Sequence, residues 1–362
     1  MVETTMANER TKYIFAGGDD LSPLARERGQ GGLFRRTPQD GEWEPLTRGL
    51  PPNVEARAIA IDPNNPQVIY AGTQDGPYRT TDAGERWERV GFPDRNAAIW
   101  AITFHPTRPK VMYAGTEPAA LYRSEDGGDT WRRLPNARSP GHCKMAFPVR
   151  VIRIAVDPSR PDDVYVALEV GGVIRSSDGG ETFTDLSAPL IELARKPHLK
   201  SRIGSAIDAE GMLDSHAIVV SAAAPGTPIL AVRMGLFRGD DRGASWSDMQ
   251  VGRYSPLTYC RDVCVSPHDP RTLYACLSSA ARSNDGTLYR SDDIGRTWRR
   301  VDHGIKADGT MMSVAIDRAD PQRVYCVTRT GQVFGTEDEG ALWREYPLPP
   351  NVVGRVRALA CI

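Results

Sequence analysis

Residues 121–131 read LYRSEDGGDTW, and a close copy, LYRSDDIGRTW, occupies residues 288–298. Further copies start at Pro77, Val173, Leu236 and Val333, and a degraded copy runs over residues 33–43. The aromatic residues that close the copies stand at positions 43, 87, 131, 183, 246, 298 and 343, so 44 to 63 residues separate neighbours. A repeat of this length in a chain of short strands indicates a propeller or a solenoid.

The repeated stretch has the residue types of a tight hairpin. In the first copy, Ser124 and Asp126 offer side-chain oxygens to nearby backbone N–H groups. Gly128, two residues after the aspartate, permits a positive φ in the turn, and Trp131 covers the hairpin with a large apolar face. We therefore expect the aspartates of the repeat, Asp126 and Asp292 among them, to be structural rather than catalytic.

The hairpin resembles the Asp box, S-x-D-x-G-x-T-W, of the BNR-repeat propellers, and the resemblance covers nearly the whole chain. That superfamily includes sialidases, xyloglucanases, sortilin-type receptors and photosystem II assembly factors. The resemblance implies a β-propeller and leaves the activity open, because one fold hosts many functions.

Apolar runs and turn residues divide each repeat into four short strands. Residues 57–63, RAIAIDP, are typical of the first strand and its turn, and residues 68–72, VIYAG, are typical of the second. Residues 357–362 match a first strand with nothing after it, whereas residues 13–17 match a second strand with no first strand before it. We therefore predict an all-β chain: a flexible tail at residues 1–12 and a single seven-bladed β-propeller domain with four-stranded blades over residues 13–362. Pairing of residues 357–362 with residues 13–16 would close the ring and remove its open edges.

Composition narrows the class of protein. The 362 residues carry a net charge of −1, which argues against a general nucleic-acid-binding protein. Arginine supplies 39 of the 45 basic residues, and arginine suits carboxylate or phosphate binding through its rigid fork. No apolar signal core precedes Lys12, and no stretch is long and apolar enough for a membrane span. The six cysteines lie apart and are predicted to be core residues rather than disulfides. These features favour a cytoplasmic protein.

Strand alternation sorts the loops onto two faces of the propeller. All Asp-box hairpins fall on one face, and the other, which we call the loop face, carries the long insertions at residues 17–31, 135–149, 187–215 and 278–286. Long loops on a rigid scaffold are the usual place for binding. We therefore expect a polar pocket on the loop face.

Aligning the repeats predicts which side chains meet at the mouth of this pocket. The aligned first-strand positions, one for each blade, are Arg357, Arg57, Trp100, Ile152, His216, Arg261 and Met312. The aligned ends of the second strands are Asp19, Gln74, Glu117, Glu169, Met234, Ser278 and Arg329. His142, in the loop 135–149, is also expected on the loop face.

These residues support three interpretations. In the first, His142 and His216 join Glu117 or Glu169 around a divalent metal, Zn or Mn, because imidazole plus carboxylate is how catalytic sites for these metals are built. In the second, Arg57, Arg261 and Arg357, with Trp100 and Arg150, hold an anionic substrate while a histidine or glutamate moves protons. In the third, the arginines and glutamates only form structural ion pairs across the mouth.

The enzymes of the superfamily give limited guidance. Sialidases have six blades and an Arg-Ile-Pro motif, which this chain lacks, and xyloglucanases place their catalytic acids between two propellers, whereas one is predicted here. Some polysaccharide lyases use seven-bladed propellers with His, Tyr and Arg in the central cleft. We therefore predict a hydrolase or lyase acting on an anionic substrate, either a small molecule or an oligosaccharide; the alternative is a non-catalytic binding or assembly scaffold.

Overall fold

A computed structural model describes residues 12–19, 32–38, 41–349 and 355–362. Within these residues the chain forms seven four-stranded antiparallel sheets arranged as the blades of a propeller. The predicted seven-bladed, nearly all-β fold is therefore confirmed. The predicted tail at 1–12, apart from Lys12, and most of the predicted insertion at 17–31 lie outside the described residues.

The strands are numbered in chain order. The first fifteen are β1 (Ile14–Asp19), β2 (Gly32–Arg36), β3 (Glu44–Pro45), β4 (Ala56–Ile61), β5 (Ile69–Thr73), β6 (Gly76–Thr80), β7 (Glu88–Arg89), β8 (Ala98–Phe104), β9 (Met112–Glu117), β10 (Leu121–Ser124), β11 (Arg132–Leu134), β12 (Arg150–Asp157), β13 (Arg160–Glu169), β14 (Gly172–Ser176) and β15 (Thr184–Asp185). The others are β16 (Ser215–Val220), β17 (Pro228–Val232), β18 (Gly235–Asp240), β19 (Ser245–Asp248), β20 (Tyr259–Val265), β21 (Leu273–Ser278), β22 (Thr287–Ser291), β23 (Arg299–Arg300), β24 (Met311–Ile316), β25 (Val324–Thr328), β26 (Val333–Thr336), β27 (Arg344–Glu345) and β28 (Arg355–Cys361).

Blade 1 consists of β28, β1, β2 and β3, and each later blade takes the next four strands in order, from β4–β7 in blade 2 to β24–β27 in blade 7. Two short helices, α1 (Ala188–Leu193) and α2 (Glu210–Leu213), lie in the long connection between blades 4 and 5. Three 3-10 turns span Pro197–Leu199, Asp241–Gly243 and Val251–Arg253. In the described part of the chain, no helix is both long enough and apolar enough to cross a bilayer.

The ring closes where the two ends of the chain meet. Strand β28 pairs antiparallel with β1, with Ile14 opposite Cys361 and Ala16 opposite Leu359. The Tyr13 N–H also donates to the Ile362 carbonyl at 3.0 Å. The last strand therefore supplies the inner strand of the first blade, as the sequence predicts, and β1 has a partner on both sides.

The Asp-box hairpins are held by their own side chains. In blade 3 the Ser124 hydroxyl donates to Asp126 at 2.8 Å, and Asp126 accepts the Thr130 backbone N–H at 2.9 Å and the Thr130 hydroxyl at 2.6 Å. The hydrogen bond from the Thr130 hydroxyl is the main reason why the pKa of Asp126 falls to about 2. The carboxylate is therefore engaged in closing the turn, which agrees with the structural role predicted for it.

The prediction that Asp292 is an Asp-box aspartate is wrong. In blade 6 the box aspartate is Asp293, which accepts the Ser291 hydroxyl at 2.8 Å and the Thr297 hydroxyl at 2.7 Å. Asp292 instead pairs with Arg290 at 2.7 Å. The box requires one residue between the serine and the aspartate, and in Ser291-Asp292-Asp293 the second aspartate has that spacing.

The core lies between neighbouring blades, where the apolar faces of their sheets pack together. Indole N–H groups link some blades directly: Trp43 donates to the Tyr346 carbonyl at 2.9 Å, and Trp246 donates to the Leu186 carbonyl at 3.1 Å. The six cysteines are free thiols, five of them buried, as predicted. The rigid packing of the blades fixes the strand ends that carry the candidate site.

Candidate functional site

A β-bulge interrupts the innermost strand of every described blade at the same place. In blade 2, Ala56 pairs with Thr73 and Ala58 pairs with Gly72, which leaves Arg57 without a partner in the ladder. The seven bulged residues are Arg57, Trp100, Ile152, His216, Arg261, Met312 and Arg357. Bulges redirect side chains at the rims of sheets. They fall on the seven positions that the sequence alignment places at the mouth.

The seven bulged residues all line one small cavity on the propeller axis, with a volume of about 70 Å³. We call it the axial cavity. A larger cavity of about 470 Å³ lies beside it on the loop face, and Phe147 and Arg282 of the loops 135–149 and 278–286 contribute to its wall. We call this the loop-face pocket. His216, Arg261, Met312 and Arg357 line both cavities and therefore connect them.

The loop-face pocket is strongly cationic. Among the described residues, the carboxylates that line it are Glu169 and Asp214. Its seven arginines are Arg150, Arg233, Arg261, Arg282, Arg329, Arg355 and Arg357. Such an excess of positive charge around a concave surface attracts anions.

Three guanidinium groups surround the Trp100 ring. The guanidinium carbons of Arg150, Arg57 and Arg357 lie 4.3, 5.0 and 5.3 Å from the ring centroid, within the range of cation–π attraction. Trp100 is only 4% exposed. The aromatic ring therefore helps to hold three like charges together at the centre of the propeller.

Arg150 brings the two predicted glutamates to one point. It lies 3.2 Å from the Glu117 carboxylate and 3.0 Å from the Glu169 carboxylate. These two carboxylates stand at equivalent ends of β9 and β13, as the alignment of second strands predicts. Both glutamates form ion pairs with Arg150, so this part of the site agrees with the interpretation that the arginines and glutamates form structural ion pairs across the mouth.

Asp19 has the same structural role on the other side of Trp100. Its carboxylate accepts a hydrogen bond from Arg357 at 2.9 Å and lies 3.7 Å from the Nε of Arg57. Arg57 also binds Glu55. Ion pairs therefore fix the directions of Arg57 and Arg357.

His216 lies at the centre of a buried polar chain. Its Nδ1 donates to the Cys260 carbonyl at 2.7 Å, which leaves Nε2 to face the Tyr259 hydroxyl and the Asp214 carboxylate, each at 3.3 Å. A neutral Nε2 accepts from Tyr259, whereas a protonated Nε2 donates to Asp214. Arg233 binds Asp214 from the other side at 3.1 Å.

The charges around this chain keep Asp214 ionised. Burial alone would raise its pKa, but the opposite charges and hydrogen bonds of His216, Arg233 and Arg261 outweigh burial and lower the pKa. The pKa of Tyr259 is raised, mainly by burial, although Arg261 opposes the change. Within this chain, Asp214 therefore stays ionised and the Tyr259 hydroxyl keeps its proton.

Arg282, Arg329 and Arg355 form a group that we call the arginine cluster. In the described part of the chain, no carboxylate lies within ion-pair distance of any of them. Burial and the nearby charges of Arg355, Arg282 and Arg357 lower the pKa of Arg329 to about 10. Burial and the neighbouring arginines also lower the pKa of Arg355. The cluster is thus a cationic surface without an ion-pair partner among the described residues, and the more distant Asp19 carboxylate offsets only part of the repulsion.

The predicted pairing of His142 with His216 is not formed. The His142 imidazole bonds Asp185 at 2.6 Å on β15, the outermost strand of blade 4, and lines neither cavity, whereas His216 stands on the innermost strand of blade 5. Among the described residues, no three His, Cys, Asp or Glu side chains are grouped as metal ligands would be. The predicted metal ligands His142, His216, Glu117 and Glu169 are therefore not gathered in one place.

Sequence reasoning missed several residues of the loop-face pocket that a simple shift of the alignment would have found. The positions two residues before each bulge are Glu55, Ala98, Arg150, Asp214, Tyr259, Thr310 and Arg355. Four of these, Arg150, Asp214, Tyr259 and Arg355, line the loop-face pocket, and of the four only Arg150 is predicted from the sequence. Arg329 was already aligned at a second-strand end, but without a role. Nothing in the repeat pattern identifies Arg282, because it lies in an insertion.

Comparisons with known proteins agree with the fold. A family model described as Sortilin-Vps10 (sortilin, neurotensin receptor 3) matches residues 286–361. A xyloglucanase of Hypocrea jecorina is 26% identical over 343 residues, which are 86% of this chain and 35% of that protein. The xyloglucanase Xgh74A of Acetivibrio thermocellus is 29% identical over 331 residues, 83% of this chain and 32% of that protein. The chain thus spans about a third of the length of these xyloglucanases.

Solved structures show the same architecture. The GH74 xyloglucanase of Xanthomonas campestris superimposes with a TM-score of 0.62 and 17% identity, covering 96% of this chain and 55% of that one. YCF48 from Cyanidioschyzon merolae superimposes with a TM-score of 0.55 and 16% identity, covering 85% of this chain and 89% of that one. The closed ring of seven four-stranded blades with Asp-box hairpins is thus the fold of the Asp-box (BNR-repeat) β-propellers, and these likenesses fit that superfamily.

Proposed function

We propose that this propeller is an enzyme that cleaves an acidic oligosaccharide in the loop-face pocket. The observation that carries the proposal is the arginine cluster of Arg282, Arg329 and Arg355, which lacks carboxylate partners among the described residues and lines the same pocket as His216 and Tyr259. The arginine cluster supports binding of an anion, and the nearby His216 and Tyr259 support proton transfer beside it.

The arginine cluster supports an anionic substrate on energetic grounds. Holding like charges together in a half-buried site is unfavourable, as the lowered pKa values of Arg329 and Arg355 indicate. A carboxylate or sulfate would relieve this repulsion and would form charge-assisted, bidentate hydrogen bonds with the guanidinium groups. A neutral ligand would gain neither.

Two observations support a saccharide as the carrier of that charge. Phe147 is 37% exposed and lines the pocket, where its ring offers a flat apolar surface to the face of a sugar. The relatives that match most of this chain are xyloglucanases. The volume of about 470 Å³ lies within the usual range for ligand sites, about 300–1,000 Å³.

The chain of Tyr259, His216 and Asp214 supplies acid–base groups. The hydrogen bond from Nδ1 to the Cys260 carbonyl fixes the imidazole, so Nε2 is the atom that exchanges a proton with the Tyr259 hydroxyl. Asp214, ionised and bound to Arg233, stabilises the imidazolium that forms when His216 takes the proton. General acid–base groups of this kind contribute roughly 10²–10⁴-fold to a rate.

Within this proposal, the site favours elimination over hydrolysis. Hydrolysis by paired carboxyl groups needs one of them protonated as the acid, but Glu169 is paired with Arg150 and the pKa of Asp214 is lowered. Elimination from a uronate needs a base to take the proton on the carbon beside the carboxylate. The C–O bond to the leaving sugar then breaks, a C=C bond forms, and an acid returns a proton to the leaving oxygen. Arginines that neutralise the carboxylate make that first proton more acidic.

The test uses uronate-containing oligosaccharides and neutral xyloglucan oligosaccharides with the purified chain. Elimination creates new reducing ends together with the ultraviolet absorbance of a C=C bond, whereas hydrolysis creates reducing ends alone. We expect the first result with the acidic substrates and no turnover of the neutral ones. Tyr259→Phe should lower the rate by about 10²–10⁴-fold while leaving binding intact. Arg355→Lys should weaken binding, because lysine cannot form the bidentate contact; Arg253→Lys, on an exposed arginine, is the matched control.

A second function, non-catalytic binding of an acidic saccharide, is favoured by one observation. Both carboxylates that line the pocket are paired with arginines, Glu169 with Arg150 and Asp214 with Arg233. Saturable binding of the acidic oligosaccharides without any new reducing ends would support this function and refute the enzyme. Absence of binding would refute both. The divalent metal and the cytoplasmic location stay predictions.

A further inference from the structure

We infer that the axial cavity is a separate site for a small monovalent anion of the halide class, held by the indole N–H of Trp100 and the guanidinium of Arg57. This inference differs from the sequence-based expectation that both residues bind the substrate. It rests on their burial, on unused hydrogen-bond donors and on the size of the cavity.

Trp100 and Arg57 are too deeply placed to meet an oligosaccharide. Trp100 is 4% exposed, and the Arg57 side chain is 8% exposed. Both line the axial cavity, and neither lines the loop-face pocket. The volume of about 70 Å³ is well below the roughly 300 Å³ of ordinary ligand sites. It exceeds the minimum of about 10–15 Å³ that one water molecule requires, so a small ion can enter but a sugar ring cannot.

Two residues that line the cavity, Trp100 and Arg57, carry donors that have no acceptor in the described part of the chain. Among the described residues, the buried Nε1 of Trp100 and Nη1 of Arg57 have no hydrogen-bond partner. The Nη2 of Arg57 is used by Glu55, and its Nε faces Asp19 at 3.7 Å. A buried donor without a partner costs about 1–3 kcal/mol. An acceptor inside the cavity would satisfy both groups.

The positive charge of the residues that line the axial cavity favours an anion over a water molecule as its occupant. Arg57, Arg261 and Arg357 all line the cavity. Arg57 and Arg357 share the Asp19 carboxylate, and Arg57 also binds Glu55. No carboxylate in the described part of the chain lies within ion-pair distance of Arg261, although the charges of Glu169 and Asp214 act on it from farther away. One monovalent anion would balance this remaining charge. Asp19 Oδ2, which also lacks a hydrogen bond, belongs to a residue outside the cavity lining and opposes a second anion.

The test compares chloride or bromide with gluconate at constant ionic strength, so that screening is unchanged and only the fit of the anion differs. The melting temperature should be higher in the halides, because an ion that binds only the folded state stabilises it. Trp100→Phe keeps an aromatic ring for the arginines but removes the N–H donor. We expect it to weaken halide binding by about tenfold, the value of one hydrogen bond to a charged group. Trp131→Phe is the matched control, because the Trp131 N–H is already bonded to the Gly128 carbonyl.

A crystal grown with bromide gives the location independently, since anomalous scattering should place the ion on the propeller axis beside Trp100. A melting temperature that is the same in halide and gluconate would overturn the inference and leave water as the occupant. An equal halide effect in Trp100→Phe, or bromide found only elsewhere, would overturn it as well. Arg329 lies in the loop-face pocket and outside the lining of the axial cavity, so Arg329→Gln should keep the halide effect, and failure of the proposed enzyme activity does not decide this test.

Discussion

Replacing Arg329 by glutamine should make the folded protein more stable while weakening its binding of anions. Burial and the charges of Arg355, Arg282 and Arg357 oppose the guanidinium of Arg329 in the folded state. In the unfolded chain this arginine is solvated and distant from the others. Glutamine keeps a hydrogen-bonding side chain of similar reach and removes the charge.

The size of the effect follows from the pKa. A fall from 12.5 to about 10, at about 1.4 kcal/mol for each pH unit, sets an upper limit of about 3 kcal/mol. Because Arg329 is partly exposed, solvent and salt reduce this value, and we expect a gain of about 1–2 kcal/mol at low ionic strength. The charged form is disfavoured by folding, so the penalty is complete at neutral pH, begins to diminish as the pH rises through about 10, and vanishes only when the unfolded arginine has deprotonated as well.

The assay is urea unfolding at neutral pH in low salt, followed by tryptophan fluorescence, with Arg253→Gln as the control on an exposed arginine. Added sulfate should stabilise the wild type more than Arg329→Gln, because the anion replaces the missing counter-charge. If Arg329→Gln is less stable than the wild type in low salt, or if sulfate stabilises both equally, then mutual repulsion does not govern this cluster.

Three further outcomes are expected. Deleting residues 355–362 removes β28 and exposes the edge of β1, so the melting temperature should fall sharply; a truncated chain as stable as the full one would show that the ring does not depend on this pairing. Asp126→Ala and Asp293→Ala should each cost about 1–3 kcal/mol of unfolding free energy and leave turnover per folded molecule unchanged, whereas selective loss of activity would contradict their structural role. The pKa of Asp126 is lowered to about 2, so its contribution to stability is present above pH about 4 and should be lost as the pH falls towards 2, which acid titration of unfolding can measure; Asp126→Asn should flatten that dependence.

Alternation of strands explains why so much of the architecture is predictable from sequence. Once the repeat is recognised, antiparallel pairing fixes which strand ends share a face, and the unmatched residues 13–17 and 357–362 have one partner left, each other. The same alignment finds all seven bulged positions, because each blade repeats the same local backbone. Glu117 and Glu169 meet at Arg150 for this reason.

The parts that the sequence does not predict lie where the repeat ends. His142 belongs to a long loop, and loop length does not determine which strand a side chain will contact; here it binds Asp185 on the outer edge of a blade. Arg282 reaches the pocket from another insertion. Asp214 and Tyr259 are different: they occupy the aligned position two residues before the bulge, as Arg150 and Arg355 do, but the residue type there changes from blade to blade, so the repeat gives no chemical signal that marks them.

The ring of bulges has a consequence for how such a propeller can diversify. A bulged residue has no partner in the ladder, so its side chain can change without loss of a sheet hydrogen bond. The axis therefore presents seven variable side chains, one from each blade, on a scaffold that the Asp-box hairpins keep constant. In this chain the bulged residues, in order around the ring from blade 1, are Arg, Arg, Trp, Ile, His, Arg and Met. Substituting these bulged residues offers a combinatorial route to new ligand preferences without a redesign of the scaffold.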